Sequence, residues 1–377
     1  LRILFFAVAR FQSTYFQQLA GHLECDADVV RSKRIFTIST TALRYLFRLP
    51  LRHYVDYKMA EINAKRERPV SPVAATLARL YYGAVILYNA ARYHAYLTSH
   101  PFDVLAVYNG YHLRQAIAVD IAKTLNKRIL YFENGALPDT TTMDWQGINF
   151  DNALPRERAF YEARIPEVTR KPAVTLHPRA PKNSAKFAPD PHFKLPDRYI
   201  FVPFQVDHDT QLLCHSPHIA DMEALYRFIE KSLTFCEDSD TVILFKEHPS
   251  ALRDYSHLHS STNSRLRFAN GVSTQTLIEN AEAIVTINSS VGIEALLYHK
   301  RVITLGNTFY TIDGIAENCT SPECLANRID RLEAWHPEPS LIDAFLHYLQ
   351  HSYLVPGHWK HPTKEHFDIA NARLECR

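Results

Sequence analysis

Four short polar clusters in this sequence carry side chains that can move protons, attack an electrophilic carbon or hold an anion. They are Glu133-Asn134-Gly135, the stretch Gln205-Val206-Asp207-His208-Asp209-Thr210-Gln211, Lys246-Glu247-His248-Pro249, and Asn288-Ser289-Ser290-Val291-Gly292. In the second cluster two acids flank a histidine, and a carboxylate in such company can serve as nucleophile or base. The plainer alternative is a strand-to-helix turn in which Asp209 caps the helix. In the fourth, backbone N–H groups at a helix start, the helix dipole and the Ser289 and Ser290 hydroxyls together suit an anion, with Gly292 allowing close approach. Serine as a simple helix cap is the competing reading. His248, held by the turn that Pro249 fixes, could hydrogen-bond or protonate a departing anionic group. Lys246 could add positive charge, although alternation along its strand could turn it away.

The elements around these clusters place them at strand ends. Apolar runs at residues 128–132, 199–204, 241–245 and 283–287 precede them, and such runs mark strands buried on both faces. Residues 1–8, 27–30, 102–108, 266–268 and 301–304 complete the set of expected strands. Helices are expected near 12–24, 73–99, 113–125, 220–235, 273–280, 291–298, 321–333 and 339–349, and residues 139–149 read as a loop. Strand, Asn109-Gly110 turn, helix and strand within about thirty residues form a βαβ unit, hence a parallel sheet. In a parallel sheet the C-terminal strand tips share one edge, so the last three clusters should line one rim. Residues 166–198 hold seven prolines and read as a connector. The expected division is therefore an α/β domain at 1–185, a second at 186–350, and a tail at 351–377 that packs back on the first.

Composition sets the outer bounds. At 377 residues the chain is long enough for two domains. A net charge of +2 gives no mandate for nucleic-acid binding, and the six cysteines show neither a CxxC pair nor zinc-ligand spacing. No apolar window is long enough for a transmembrane helix, and residues 1–10 lack a signal peptide's basic leader, so a cytoplasmic protein is expected. Residues 37–68 are rich in basic and aromatic side chains, with Pro50 breaking the helical pattern. An anionic membrane or an acidic glycolipid is one partner for such a segment, and an ordinary solvated helix pair is the other reading.

Two α/β domains joined by a proline-rich linker follow the plan of a GT-B glycosyltransferase, two Rossmann-type parallel-sheet domains facing each other across a cleft. Gln205-Val206-x-x-Asp209, Glu247-His248-Pro249 and Asn288-Ser289-Ser290-x-Gly292-x-Glu294-Ala295 resemble motifs of bacterial capsule-polysaccharide biosynthesis proteins. Within that group they look most like retaining β-Kdo glycosyltransferases that use CMP-Kdo. The resemblance covers residues 199–310, with a weaker extension to Asn109-Gly110 and Glu133-Asn134-Gly135. It implies a double displacement in which an aspartate forms a covalent Kdo adduct before the acceptor hydroxyl attacks. By its place in the motif Asp209 is the implied nucleophile, with Asp207 in reserve, and Glu133 is the implied base on the acceptor. His248, Ser289 and Ser290 would hold the CMP phosphate, with Gln205, Gln211, Lys246, Asn288, Gly292 and Asn134 as further binding residues. The partners implied are a CMP-sugar donor and an oligosaccharide or lipid-linked glycan acceptor. No cofactor or metal is expected, since Asp238-Ser239-Asp240 has the spacing of a sugar-nucleotide metal site but precedes its strand. Two other readings stay open: an inverting CMP- or UDP-sugar transferase or epimerase on the same fold, and a glycan-binding module without catalysis.

Overall fold

The structure is a computed structural model that describes residues 1–37, 39–168 and 185–375. The chain divides into two compact units: Leu1–Asn63, Arg68–Ala153 and Tyr353–Arg377 form the first, and Ala64–Glu67 with Leu154–Ser352 form the second. The division at Ala153 lies upstream of the proline-rich stretch expected to hold it. Residues 169–184 of that stretch fall outside the described residues. The tail belongs to the first unit.

Unit 1 is built on a six-stranded sheet. Its strands are β1 (Arg2–Ala7), β2 (Asp26–Arg31), β3 (Val104–Tyr108), β4 (Arg128–Asn134), β5 (Thr140–Asp144) and the distant β12 (Val355–Pro356). They lie in the order β12-β5-β4-β3-β1-β2. The first four are mutually parallel, whereas β5 runs antiparallel to β4 and β12 in turn pairs antiparallel with β5. β5 corrects the expected loop at 139–149: Thr140, Thr141 and Thr142 are β-branched and fit a pleated edge despite their polarity. β4 also runs two residues further than expected, so Glu133 and Asn134 lie within the strand, opposite Thr142 and Thr141. The helices are α1 (Arg10–Ala20), α2 (Thr40–Leu46), α3 (Leu51–Ala64), α4 (Pro72–Ser99), α5 (Leu113–Thr124) and α13 (Lys364–Glu375). Pro50 separates α2 from α3, and Pro72 opens α4 at a position where its missing N–H costs nothing. One side of the sheet packs Phe5, Phe16, Phe132, Trp359 and Phe367 together, and the other packs Phe6, Tyr93, Val107 and Ile117.

Unit 2 contains β6 (Tyr199–Pro203), β7 (Val242–Lys246), β8 (Leu266–Phe268), β9 (Ala283–Thr286), β10 (Arg301–Thr304) and β11 (Glu317–Asn318), all parallel. Their order, β8-β7-β6-β9-β10-β11, reverses direction between β6 and β9. This is the doubly wound 3-2-1-4-5-6 arrangement, in which ligands bind outside the strand tips at the reversal. Its helices are α6 (Arg158–Glu162), α7 (Thr210–His215), α8 (Met222–Leu233), α9 (Thr274–Asn280), α10 (Val291–Leu296), α11 (Pro322–Asp330) and α12 (Pro339–Tyr348). Asp209, Asp221, Ser273 and Ser321 cap α7, α8, α9 and α11 through their side chains. α8 shows how the layers close: Met222, Leu225, Tyr226, Ile229 and Leu233 recur at helical spacing and bury one face against the sheet. Among the described residues no helix is long and apolar enough to cross a membrane.

Candidate active site

At the reversal point of unit 2, β6 and β9 end side by side and their first polar residues lock together. The Gln205 Nε2 donates to Asn288 Oδ1 at 2.9 Å, and the Asn288 backbone N–H donates to Gln205 Oε1 at 3.1 Å. Asn288 Nδ2 then donates to the carbonyls of Gln211 at 2.9 Å and His215 at 3.3 Å. Both side chains are buried, so this exchange joins two strand tips to α7. Gln205 and Asn288, both expected among the binding residues, are here bonded to each other and to α7. Gln211 contributes its carbonyl to that network.

The two acids of the β6 tip have separate environments. Asp207 is buried and accepts hydrogen bonds from the Tyr255 hydroxyl at 2.6 Å and the Met222 N–H at 3.1 Å, with Arg253 at 3.8 Å. Burial raises its pKa above the ordinary aspartate value, against the opposing pull of those hydrogen bonds. Asp209 is only half-buried. One of its oxygens accepts the Gln211 N–H at 2.9 Å as the cap of α7. The cap and the candidate nucleophile are thus the same residue, and capping fixes its carboxylate at the start of α7, after the loop that leaves β6.

The β7 tip divides in a similar way. Lys246 turns away from the rim and donates to the carbonyls of Asn270 at 2.5 Å and Val272 at 2.6 Å, and burial pushes its pKa down to about 8. Glu247 is buried among donors: His259 Nε2 at 2.9 Å, Asn270 Nδ2 at 3.1 Å and Lys186 Nζ at 2.5 Å. Burial alone would raise its pKa, but the bonds from His259, Lys186 and Asn270 outweigh it and hold the carboxyl below the usual glutamate value. His248 is half-buried and accepts the Ser250 N–H at its Nδ1, at 3.0 Å. With Lys186, Phe187, Glu247, Arg253 and Asp254 it lines a cavity of about 520 Å³. An imidazole beside lysine and arginine side chains is suited to an anionic ligand.

At the β9 tip, Ser289 Oγ accepts the Val291 N–H at 3.2 Å, and the Tyr310 hydroxyl donates to the Ser289 carbonyl at 2.6 Å. A Cβ on Gly292 would lie 2.5 Å from the Tyr310 hydroxyl oxygen, so what approaches this glycine closely is Tyr310. α10 has only six residues, which leaves little macrodipole, and anion binding there would rest on the serine hydroxyls and local N–H groups. Ser290 stands at the cap position of this helix without a capping hydrogen bond from its side chain.

In unit 1, Asn109 adopts a left-handed conformation (φ 67°) at the tip of β3. Its side chain accepts the Tyr111 N–H at 3.0 Å and donates to Glu133 Oε2 at 2.6 Å. Glu133 Oε1 also accepts the Asn134 N–H at 2.9 Å. Asn134 itself accepts the Trp359 Nε1–H at 2.8 Å, which ties it to the tail. Burial, reinforced by the nearby Glu133, drives the Tyr108 phenol well above its ordinary pKa. Sequence reasoning missed Asn109 as a partner of Glu133, though an Asn-Gly turn at a strand end marks such a position. It also missed Tyr255, Arg253, Lys186 and His259, whose contacts are long-range. Among the described residues no cluster of three or more His, Cys, Asp or Glu is arranged to hold a metal ion.

Residues 181–359 match the family model of capsule polysaccharide biosynthesis proteins. The chain is 33% identical over 285 residues to protein FixF of Sinorhizobium fredii, a match covering 74% of this chain and 67% of that one. It is 24% identical over 256 residues to the capsule polysaccharide export protein KpsS of Escherichia coli, covering 52% of this chain and 64% of that one. The match spans about two thirds of each relative's length. Among solved structures, the beta Kdo 2,7 transferase of Thermosulfurimonas dismutans KpsC aligns at 16% identity and a TM-score of 0.41, over 67% of this chain and 78% of that one. The protein is a member of the capsule polysaccharide biosynthesis family, on an α/β fold with two sheet-centred units.

Proposed function

We propose that this chain is a retaining glycosyltransferase that moves Kdo from CMP-Kdo to a saccharide or lipid-linked glycan acceptor in bacterial surface polysaccharide assembly. Asp209 attacks C2 of the sugar, the C2–O bond to CMP breaks, and CMP leaves with the bonding electrons. The acceptor oxygen then attacks C2, its proton passes to Glu133, and the bond to Asp209 breaks, so two inversions give net retention. His248, Ser289 and Ser290 hold the departing phosphate, and no residue is assigned to a metal. The observation that supports this best is Asp209 itself, a half-buried carboxylate anchored by one oxygen at the reversal of a doubly wound sheet. Asp207, buried and with its Oδ1 accepting from both Tyr255 and Met222, is assigned a supporting role.

The test is intact-mass analysis after mixing with CMP-Kdo alone, followed by a CMP-release assay with candidate acceptors. The expected result is one Kdo on the wild-type chain, mapped to Asp209, and none on Asp209→Ala. Turnover with the opposite anomer and no adduct would establish an inverting enzyme. Absence of CMP release by the wild type, with CMP-Kdo or acceptor still bound, would establish a binding module.

A further inference from the structure

The N-terminal half of α4 carries an apolar stripe that the fold does not cover. Val73, Leu77, Leu80, Tyr81 and Tyr88 are each 52–74% exposed, and the exposed Ala84 lies among them. At 100° per residue these six fall within about 100° of the helix circumference, along roughly 22 Å of its length. The opposite face carries Gly83, Ile86, Asn89, Ala90, Tyr93 and Leu97 into the core, so α4 is correctly packed and still presents this stripe to solvent. α2, which packs against α4, adds Leu43, and the turn after it adds Phe47, 93% exposed, with Arg44 and Arg48 exposed beside them.

Charge identifies the occupant. In the unit 1 stretches 31–63 and 68–91 there are nine Lys and Arg against two Asp and Glu, an excess of seven in a chain whose total excess is two. Asp56 is already engaged by Arg79 at 2.6 Å and by Arg52 at 3.6 Å, and Glu61 by Lys58 at 2.9 Å. A second copy of this face would bring like charges together. Nucleic acid would meet the arginines but has no use for a stripe of Val, Leu and Tyr. An anionic bilayer satisfies both: aliphatic side chains enter the acyl boundary, tyrosines sit at headgroup level, and arginines reach lipid phosphates.

We infer that the exposed stripe of α4, with Leu43 and Arg44 of α2 and Phe47 and Arg48 of the turn after it, is a docking surface for an anionic phospholipid bilayer. The surface lies wholly within unit 1 and does not depend on the transfer chemistry. The test is co-sedimentation of the full chain with vesicles of pure phosphatidylcholine and of equal parts phosphatidylcholine and phosphatidylglycerol. Binding should be at least about tenfold stronger to the anionic vesicles and should weaken as salt rises. Leu77→Glu/Leu80→Glu should cut partitioning at least about tenfold, because charge at the apolar face opposes burial in the acyl boundary. Arg44→Glu/Arg48→Glu should cut it several-fold and flatten the salt dependence. Phe235→Glu, an exposed apolar position in unit 2, should change nothing. All variants change exposed residues, and circular dichroism is the check that each one folds. The inference is overturned by failure to bind anionic vesicles, or by binding that the α4 substitutions leave intact. It is also overturned by a dimer, seen in light scattering, that Leu77→Glu/Leu80→Glu dissociates without any vesicle binding.

Discussion

The strand tips of unit 2 and those of unit 1 treat their polar residues differently. In unit 2 the strand ends carry alternating jobs: Gln205, Asp207, Lys246, Glu247 and Asn288 turn inward to tie loops together, while His208, Asp209, His248 and Ser290 stay partly accessible. In unit 1 Glu133 sits inside β4, one residue short of its end, and is held by Asn109 from the tip of the neighbouring strand. Polar residues at strand tips are thus not one functional class. Of the nine in unit 2, five tie loops together and four stay partly exposed, and it is among the exposed four that we assign the chemistry.

The sharpest way to break this contrast is to exchange the two acids of the β6 tip. Asp209→Asn should lower transfer by about 10⁴-fold or more, the scale seen when a nucleophile is removed. Asp207→Asn should stay within about threefold of wild type, because Asn keeps an oxygen for Tyr255 and Met222. Steady-state CMP release measures both, and a reversed ranking would move the nucleophile to Asp207. Next in size, Glu133→Gln should reduce transfer by about 10²–10⁴-fold, the range for a general base, with little change in CMP-Kdo binding. Asn109→Ala should give a smaller loss accompanied by a changed pH–rate profile, since it positions Glu133 without reaching substrate.

A third comparison separates frame from chemistry. Gln205→Ala or Asn288→Ala leaves buried polar partners without hydrogen bonds and should cost about 1–3 kcal/mol in urea unfolding. Ser290→Ala, whose side chain makes no capping bond, should leave stability nearly unchanged while weakening donor binding. The smallest effect is one of pH. The folded pKa of Glu247 lies below its unfolded value, so its contribution is present above about pH 4.5 and fades as pH falls through the lower folded value. Asp207 has the opposite sign: the folded state keeps a proton that the unfolded chain has lost, so stability falls as pH rises through its raised pKa. Glu247→Gln should remove the first limb of the pH–stability curve and Asp207→Asn the second, read by thermal unfolding across pH 3–7.

Much of the sheet architecture was legible because buried parallel strands are continuous apolar runs, and 199–204, 241–245 and 283–287 could hardly be anything else. The polar clusters after them were equally visible. Their division into frame and site was not, because it depends on contacts such as Tyr255 with Asp207, 48 residues apart, that no local pattern announces. β5 was missed because Thr140-Thr141-Thr142 reads as polar before it reads as β-branched. β12 was missed because two residues cannot show a period. The domain boundary was misjudged because proline content marks irregular chain, not the point where contacts change partners.

The return of the tail to unit 1 has a consequence for how the protein is made. β12 pairs with β5, and Trp359, Phe367 and Leu374 complete the core around Tyr15, Phe16 and Phe132. The ribosome delivers those aromatic residues of α1 and β4 long before the segment that covers them, with residues 154–352 of unit 2 synthesised in between. A nascent unit 1 must therefore wait, with an open sheet edge and an uncovered aromatic face, while unit 2 can fold as soon as it emerges. The order of birth and the order of completion are reversed. A chain truncated after residue 352 should retain a cooperative unit 2 and aggregate through the face that Trp359 and Phe367 would have closed.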